Sequence, residues 1–296
     1  MRVELVEVSP RDGLQNEPVL FSVAEKLRLI ELILAAGFKR LEAGSFVNPK
    51  KVPQMAGSEE VFAGLPRREE ASFIALALNA KGVERALAAD AKEINYSIAA
   101  SDGFAIRNNG QDVAGLLAAW PEAARIARAG GARLSVTIST AFGCPFDGEV
   151  DPGRVEAVAA EAAAAGPDEI ALADTIGVAA PRDVKERFAR AARAAPGVRL
   201  RAHFHDTRNT AIANAIAAVE AGVQVLDGAL GGVGGCPFAP GAAGNAPTED
   251  LLYVLRRQGV ETGVDLDAAL EVVAFLGQQL GKPTPGRVSR APRWPG

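Results

Sequence analysis

Short apolar runs rich in β-branched residues alternate with longer Ala/Leu/Val stretches of helical periodicity along the whole chain. Strands are predicted at Val3–Val8, Arg40–Ala43, Ala71–Ala77, Glu93–Ser97, Arg133–Ser139, Glu169–Ala173, Val198–His203 and Val223–Asp227. Helices are predicted near 22–36, 80–89, 111–130, 151–165, 181–194, 207–221 and 247–258, with only a short one at 56–64. Eight strands, each followed by a helix, predict an α/β fold: a single closed (β/α)8 TIM barrel. A further helix, roughly 265–280, is expected on the outside of the barrel or in a subunit interface, so that one domain spans 1–281. Pro283, Pro285, Pro292 and Pro295 predict an extended or disordered tail over 282–296. A doubly wound open sheet is the competing architecture, and it needs a glycine-rich phosphate turn after its first strand. Here that position holds the polar, charged run Ser9-Pro10-Arg11-Asp12-Gly13-Leu14-Gln15-Asn16-Glu17, which favours the barrel.

The 296 residues are 48% hydrophobic and 23% charged, enough to form a sizeable core without cross-links. A net charge of −4 and a pI near 5.5 provide no long-range positive field for nucleic acid or a membrane surface. Any anionic ligand must then be held by locally placed Arg or Lys. The two cysteines, Cys144 and Cys236, stand far apart and read as reduced thiols. The first predicted strand is expected to leave no room for a targeting peptide, and charged residues break every apolar run short of a membrane span. A cytoplasmic protein is expected.

Candidate chemistry gathers where strands end on the carboxyl side, the mouth at which barrel active sites form. His203 and His205 are the only two histidines. Spaced by two on a strand, they point to the same side, with Val198, Leu200, Ala202 and Phe204 facing the outer helices. Such a pair serves either as two imidazole ligands for one metal ion or as a hydrogen-bonded pair without metal. Arg11-Asp12 closes the first strand, and Asp12 is a third ligand candidate; the dipeptide also reads as a surface ion pair, with Gly13 supplying a turn. Asp174, at the end of the sixth strand, reads as an acid/base group, a supporting partner or the start of a loop. The run 231–245 after the eighth strand is dense in glycine and carries Cys236, the composition of a mobile lid or of flexible filler. It lacks the Gly-Lys-Ser/Thr ending of a P-loop. Asn245, just ahead of the last barrel helix, either caps it or offers a carbonyl oxygen to a metal.

Taken together, Val6–Glu17, Leu41–Met55, Asp174–Val178, His203–Thr207 and Gly234–Asn245 resemble the 3-hydroxy-3-methylglutaryl-CoA lyases, within the wider group of metal-dependent barrel lyases and synthases. The resemblance covers about 3–280, and the Cys236 loop is the part that marks lyases rather than condensing enzymes. It implies metal ligands at Asp12, His203, His205 and Asn245, with Mg²⁺ or Mn²⁺ as the ion. It places catalytic groups at Arg11, Asp12, Glu42, Asp174 and Cys236, and substrate contacts at Gln15, Ser45, Asn108 and Thr175. Lys50 is implied as a phosphate contact. The implied substrate is a small-molecule acyl-CoA, and the implied assembly a homodimer or higher homo-oligomer.

The activity so implied is cleavage of the C2–C3 bond of 3-hydroxy-3-methylglutaryl-CoA to acetyl-CoA and acetoacetate. Arg208-Asn209 departs from the usual continuation after His-Asp-Thr, and this keeps citramalyl-CoA or another 3-hydroxyacyl-CoA as an alternative substrate. A condensing synthase of the isopropylmalate or homocitrate type is disfavoured by His205-Asp206-Thr207, and the regulatory domain such synthases add is not expected here. An amidohydrolase needs further histidines, and none remain. A non-catalytic metal- or CoA-binding barrel does not account for Arg11, Asp174 and Cys236.

Overall fold

The structure, a computed structural model, describes residues 1–234 and 244–292. Among these, eight parallel strands close on themselves in chain order. They are β1 (Glu4–Glu7), β2 (Arg40–Ser45), β3 (Ser72–Ala77), β4 (Glu93–Ala99), β5 (Arg133–Ser139), β6 (Glu169–Asp174), β7 (Arg199–Phe204) and β8 (Val225–Gly228). Each falls within two residues of its predicted bounds. Outside them run α1 (Val23–Ala35), α2 (Ser58–Gly64), α3 (Ala80–Ala88), α4 (Asp102–Asn109), α5 (Val113–Ala129), α6 (Pro152–Ala164), α7 (Pro181–Ala194), α8 (Ala211–Glu220), α9 (Thr248–Arg257) and α10 (Leu266–Leu280).

The helices begin where the sequence supplies oxygen acceptors for their first N–H groups. Ser22 forms a capping box with Glu25, and Asn79, Asp112, Asp151 and Asp265 cap α3, α5, α6 and α10. The expected helix at 207–221 starts only at Ala211, because Asp206 Oδ1 accepts from Ala211 N and holds the intervening residues in a loop. Helix α4 was not predicted: its sequence, Asp-Gly-Phe-Ala-Ile-Arg-Asn-Asn, buries just Phe104 and Ala105 and lacks a strong apolar stripe.

Apolar side chains fill the layer between strands and helices. Trp120 of α5 is its largest fully buried member, stacking on Tyr96 and donating its indole N–H to Ala162 O at 2.8 Å. The barrel interior is polar instead. Near its amino-terminal end Arg40 binds Glu93 and donates to both oxygens of Glu169 at 2.8 and 2.9 Å. Buried charges of this kind are tolerated because each is paired.

Beyond the barrel, α10 packs on α1. The tail expected to be extended or disordered is described as far as Pro292; it carries a single 3-10 turn at Val288–Arg290 and is docked. Lys282 pairs with Glu17 at 2.6 Å, Gly286 N donates to Gly231 O, and Asp250 accepts from the amides of Arg287 and Val288. Proline content carried no information about these contacts. No helix among the described residues is long and apolar enough to cross a membrane.

Candidate active site

At the carboxyl mouth, β1 runs into a single wide turn, Ser9–Gly13, in which Gly13 N donates to Val8 O at 3.1 Å. A Cβ at Gly13 would lie 2.8 Å from the Val233 side chain, so the close approach of the 230–234 segment requires glycine there. The turn brings Arg11 and Asp12 into one cleft. Arg11 Nη1 meets Asp12 Oδ1 at 2.6 Å, and Arg11 Nε donates to Glu42 Oε2 at 2.7 Å.

Alternation on β7 turns His203 and His205 toward the same point, as predicted. His203 Nε2 and His205 Nε2 lie 4.0 and 3.9 Å from Asp12 Oδ2. Ligand atoms of the three residues all fall within 4.8 Å of one another, a spacing suited to a single cation. Asn245 completes the cluster: it hydrogen-bonds Asp12 and pairs in backbone register with His205. Its Nδ2 donates to Val233 O, while its Oδ1 is buried without a partner. An orphaned buried carbonyl beside a carboxylate and two imidazoles is the donor set expected of a hard or borderline divalent ion. Gly234, at φ +93°, allows the loop to pass against Asp12 O and Asn245 Nδ2, where a Cβ would sit 2.8 and 2.9 Å away.

The electrostatics agree with that reading. Burial alone pushes the Asp12 carboxyl up, but Arg11, His203 and His205 together hold it well below the usual range. Burial, then neighbouring His203, push His205 down to about 4, which leaves it a neutral imidazole at physiological pH. Burial also opposes the charged form of His203, but Asp227 outweighs it and raises the group above its ordinary value. Asp227 Oδ1 stands 2.7 Å from His203 Nδ1.

Around this cluster opens a cleft of about 1350 Å³. Gln15, Glu42, Asn108 and Thr175 line it, and Thr175 Oγ1 also accepts from Thr140 N at 2.7 Å. Lys51, Lys81, Arg85 and Arg107 line the cleft as well, giving it a cationic wall in a chain of negative net charge.

Several expectations meet a different outcome. Asp174 is fully buried at the end of β6 and does not line the cleft; its two oxygens accept from Val178 N and Ala179 N at 2.9 and 3.0 Å. Through these two bonds it orders its own loop. Ser45 is likewise buried outside the cleft lining: the register of β2 shifts between Glu42 and Gly44, the Ser45 N–H donates to Ser58 Oγ at 3.1 Å, and its own hydroxyl has no hydrogen-bond partner. Lys50 is exposed and Lys51 takes the place in the cleft. Arg208 bonds the carbonyls of Ile176 and Gly177 at 3.0 Å instead of facing an acyl group. Cys236 lies outside the described residues. Sequence reasoning missed Asp227, Arg201, Asn95 and Thr137, all of which line the cleft. The signal for Arg201 was available, since it shares the inward alternation of His203 and His205.

A closed (β/α)8 barrel with an Asp/His/His cluster and a carboxylate-held arginine at its carboxyl mouth defines a barrel enzyme built around a candidate metal centre. Comparison with known proteins makes this specific. The chain is 44% identical to an (R)-citramalyl-CoA lyase of Chloroflexus aurantiacus, over 98% of this chain and 94% of that protein. It is 43% identical to a 3-hydroxy-3-isohexenylglutaryl-CoA/hydroxy-methylglutaryl-CoA lyase of Pseudomonas aeruginosa, covering 98% and 97%. Among solved structures, an HMG-CoA lyase from Acinetobacter baumannii in complex with coenzyme A and 3-methylmalate matches with a TM-score of 0.94 at 39% identity, covering 99% and 95%. The HMGL-like family model matches residues 2–276, and the chain belongs to that family.

Proposed function

We propose that this protein is a divalent-metal-dependent carbon–carbon lyase that cleaves 3-hydroxy-3-methylglutaryl-CoA to acetyl-CoA and acetoacetate. The observation that carries the reading is the convergence of Asp12, His203 and His205 beside the paired Arg11. Lyases acting on related thioesters, each similar over nearly the full chain, support it.

Asp12 Oδ2, the two Nε2 atoms and Asn245 Oδ1 would hold the ion, Mg²⁺ or Mn²⁺ by donor chemistry. When bound, such an ion acts as a Lewis acid that makes the C3 hydroxyl of the substrate easier to deprotonate and orients it. Loss of that proton lets C3 become a carbonyl as the C2–C3 bond breaks, and the bonding pair moves onto the thioester as an enolate. Arg11, fixed by Asp12 and Glu42, presents positive charge to the enolate oxygen. The Cys236 thiol is the proposed proton donor to C2, completing acetyl-CoA. The cationic wall of Lys51, Lys81, Arg85 and Arg107 suits the phosphates of CoA. The reduced-thiol reading of the cysteines makes a cytoplasm the proposed compartment.

A second reading, cleavage of a citramalyl-CoA, is favoured by the Chloroflexus relative. Incubating the protein with a panel of 3-hydroxyacyl-CoAs and quantifying acetyl-CoA and the companion acid separates the two. Acetoacetate from the methylglutaryl thioester is expected; pyruvate release from citramalyl-CoA alone would establish the second reading.

A further inference from the structure

The two imidazoles of the metal cluster are not held alike. His205 Nδ1 is buried with no partner. His203 Nδ1, by contrast, meets Asp227 Oδ1 at 2.7 Å across the β7–β8 pair. Asp227 is itself constrained. Its other oxygen lies 3.4 Å from Arg201 Nε, and Arg201 lies 3.4 Å from Glu169 Oε1. Glu169 in turn is bound through both oxygens by Arg40. A continuous line of alternating charges therefore runs up the barrel interior from Arg40 on β2 through β6, β7 and β8 to the imidazole at the mouth. Arg40, Glu169, Arg201 and Asp227 are all at least 96% buried.

Resting on the metal reading above, we propose that Asp227, braced by Arg201, is a positioning residue that fixes His203 in its Nδ1–H form and so keeps the Nε2 lone pair aimed at the ion site. The physical reason lies in what the other tautomer would do. An Nε2–H would face Asp12 Oδ2, 4.0 Å away, and compete with a cation for that oxygen. Donation from Nδ1 to Asp227 removes this alternative and orients the ring before any ion arrives. Arg201 acts on Asp227 through charge, its Nε standing 3.4 Å from Oδ2 without a hydrogen bond. Because one carboxylate oxygen faces a guanidinium, the other is left for the imidazole. Replacing Asp227 by Asn reverses the arrangement without changing shape. The amide oxygen goes to Arg201, the amide NH₂ faces Nδ1, and His203 is driven to the Nε2–H form.

With only two histidines in the chain, imidazole ¹⁵N labelling of the metal-free protein gives two ring systems, assigned with a His205→Gln variant. At a pH where both rings are neutral, the expected wild-type spectrum shows His203 protonated at Nδ1 and bare at Nε2. In Asp227→Asn the pattern reverses for His203 and not for His205, and Mn²⁺ affinity, read by electron paramagnetic resonance titration, falls about 10–100-fold. A wild-type His203 carrying its proton on Nε2 overturns the proposal, and that spectrum needs no variant to fold. An Asp227→Asn protein with unchanged tautomer and unchanged Mn²⁺ affinity also overturns it. Wild-type protein that binds no Mn²⁺ overturns the metal reading instead, while the tautomer still decides the role of Asp227.

Discussion

Arg11 is locked to Glu42, a residue 31 positions away on the neighbouring strand, through an Nε–Oε2 hydrogen bond of 2.7 Å. The bond aims the guanidinium, whose Nη1 also pairs with Asp12. If Arg11 stabilises the enolate, Arg11→Gln cuts turnover about a hundredfold or more, by the roughly 3–4 kcal/mol scale of a lost charge-stabilising donor, with metal content intact. Glu42→Ala acts mainly through Arg11, so the double variant should be no slower than Arg11→Gln. Steady-state kinetics of the four proteins form a double-mutant cycle. Strict additivity would mean that Glu42 acts independently.

The cluster itself predicts a change in stoichiometry. His205→Ala removes one of the three converging ligand atoms, and Asn245→Ala removes the unpartnered carbonyl oxygen. Both should lower divalent-ion occupancy, His205→Ala the more severely, as measured by elemental analysis after dialysis against limiting metal. Unchanged occupancy in either variant removes that residue from the ligand set.

How much of this was legible beforehand follows from what each signal encodes. Period-two alternation placed both histidines on the inner face, because strand geometry leaves two choices and Phe204 needs the apolar one. The polar run after β1 placed Arg11 and Asp12 at the mouth for a similar reason. Alternation says nothing about which way a residue turns once the strand has ended. Asp174 folds back onto the amides of Val178 and Ala179, and Arg208 onto two carbonyls, for reasons that exist only in three dimensions. Asp227 escaped notice because an acidic residue closing a strand resembles a loop start until β7 is laid beside β8. The docking of the tail rests on Glu17, Gly231 and Asp250, all remote in sequence from the residues they hold.

Stability should fall with rising pH through neutrality. Glu7 accepts from Leu230 N and Ser9 N, and Glu249 from Gly231 N, and among the described residues no basic side chain pairs with either carboxyl. Burial pushes Glu7 up to about 7 and Glu249 up to about 8, from an ordinary 4.5. Between pH 4.5 and those values the folded protein keeps protons that the unfolded chain has released, so the contribution is fully present below 4.5 and lost as pH passes the folded values. Each carboxyl contributes on the order of a few kcal/mol across its window. Glu7→Gln and Glu249→Gln should flatten the slope of unfolding free energy between pH 5 and 8; an unaltered slope means that these carboxyls are ionised throughout.

Arg208 bonds the loop after β6, so Arg208→Ala should cost roughly 1 kcal/mol of stability. The ranking of 3-hydroxyacyl-CoA substrates by kcat/KM should not change. An altered ranking at constant stability would return Arg208 to the role of choosing the acyl group.

The most direct test strips the protein of metal with a chelator and follows acetyl-CoA release from 3-hydroxy-3-methylglutaryl-CoA before and after restoring Mg²⁺ or Mn²⁺. Negligible release from the stripped protein, with stoichiometric acetyl-CoA and acetoacetate once the ion returns, is the predicted result. Equal release with and without the ion would contradict the account.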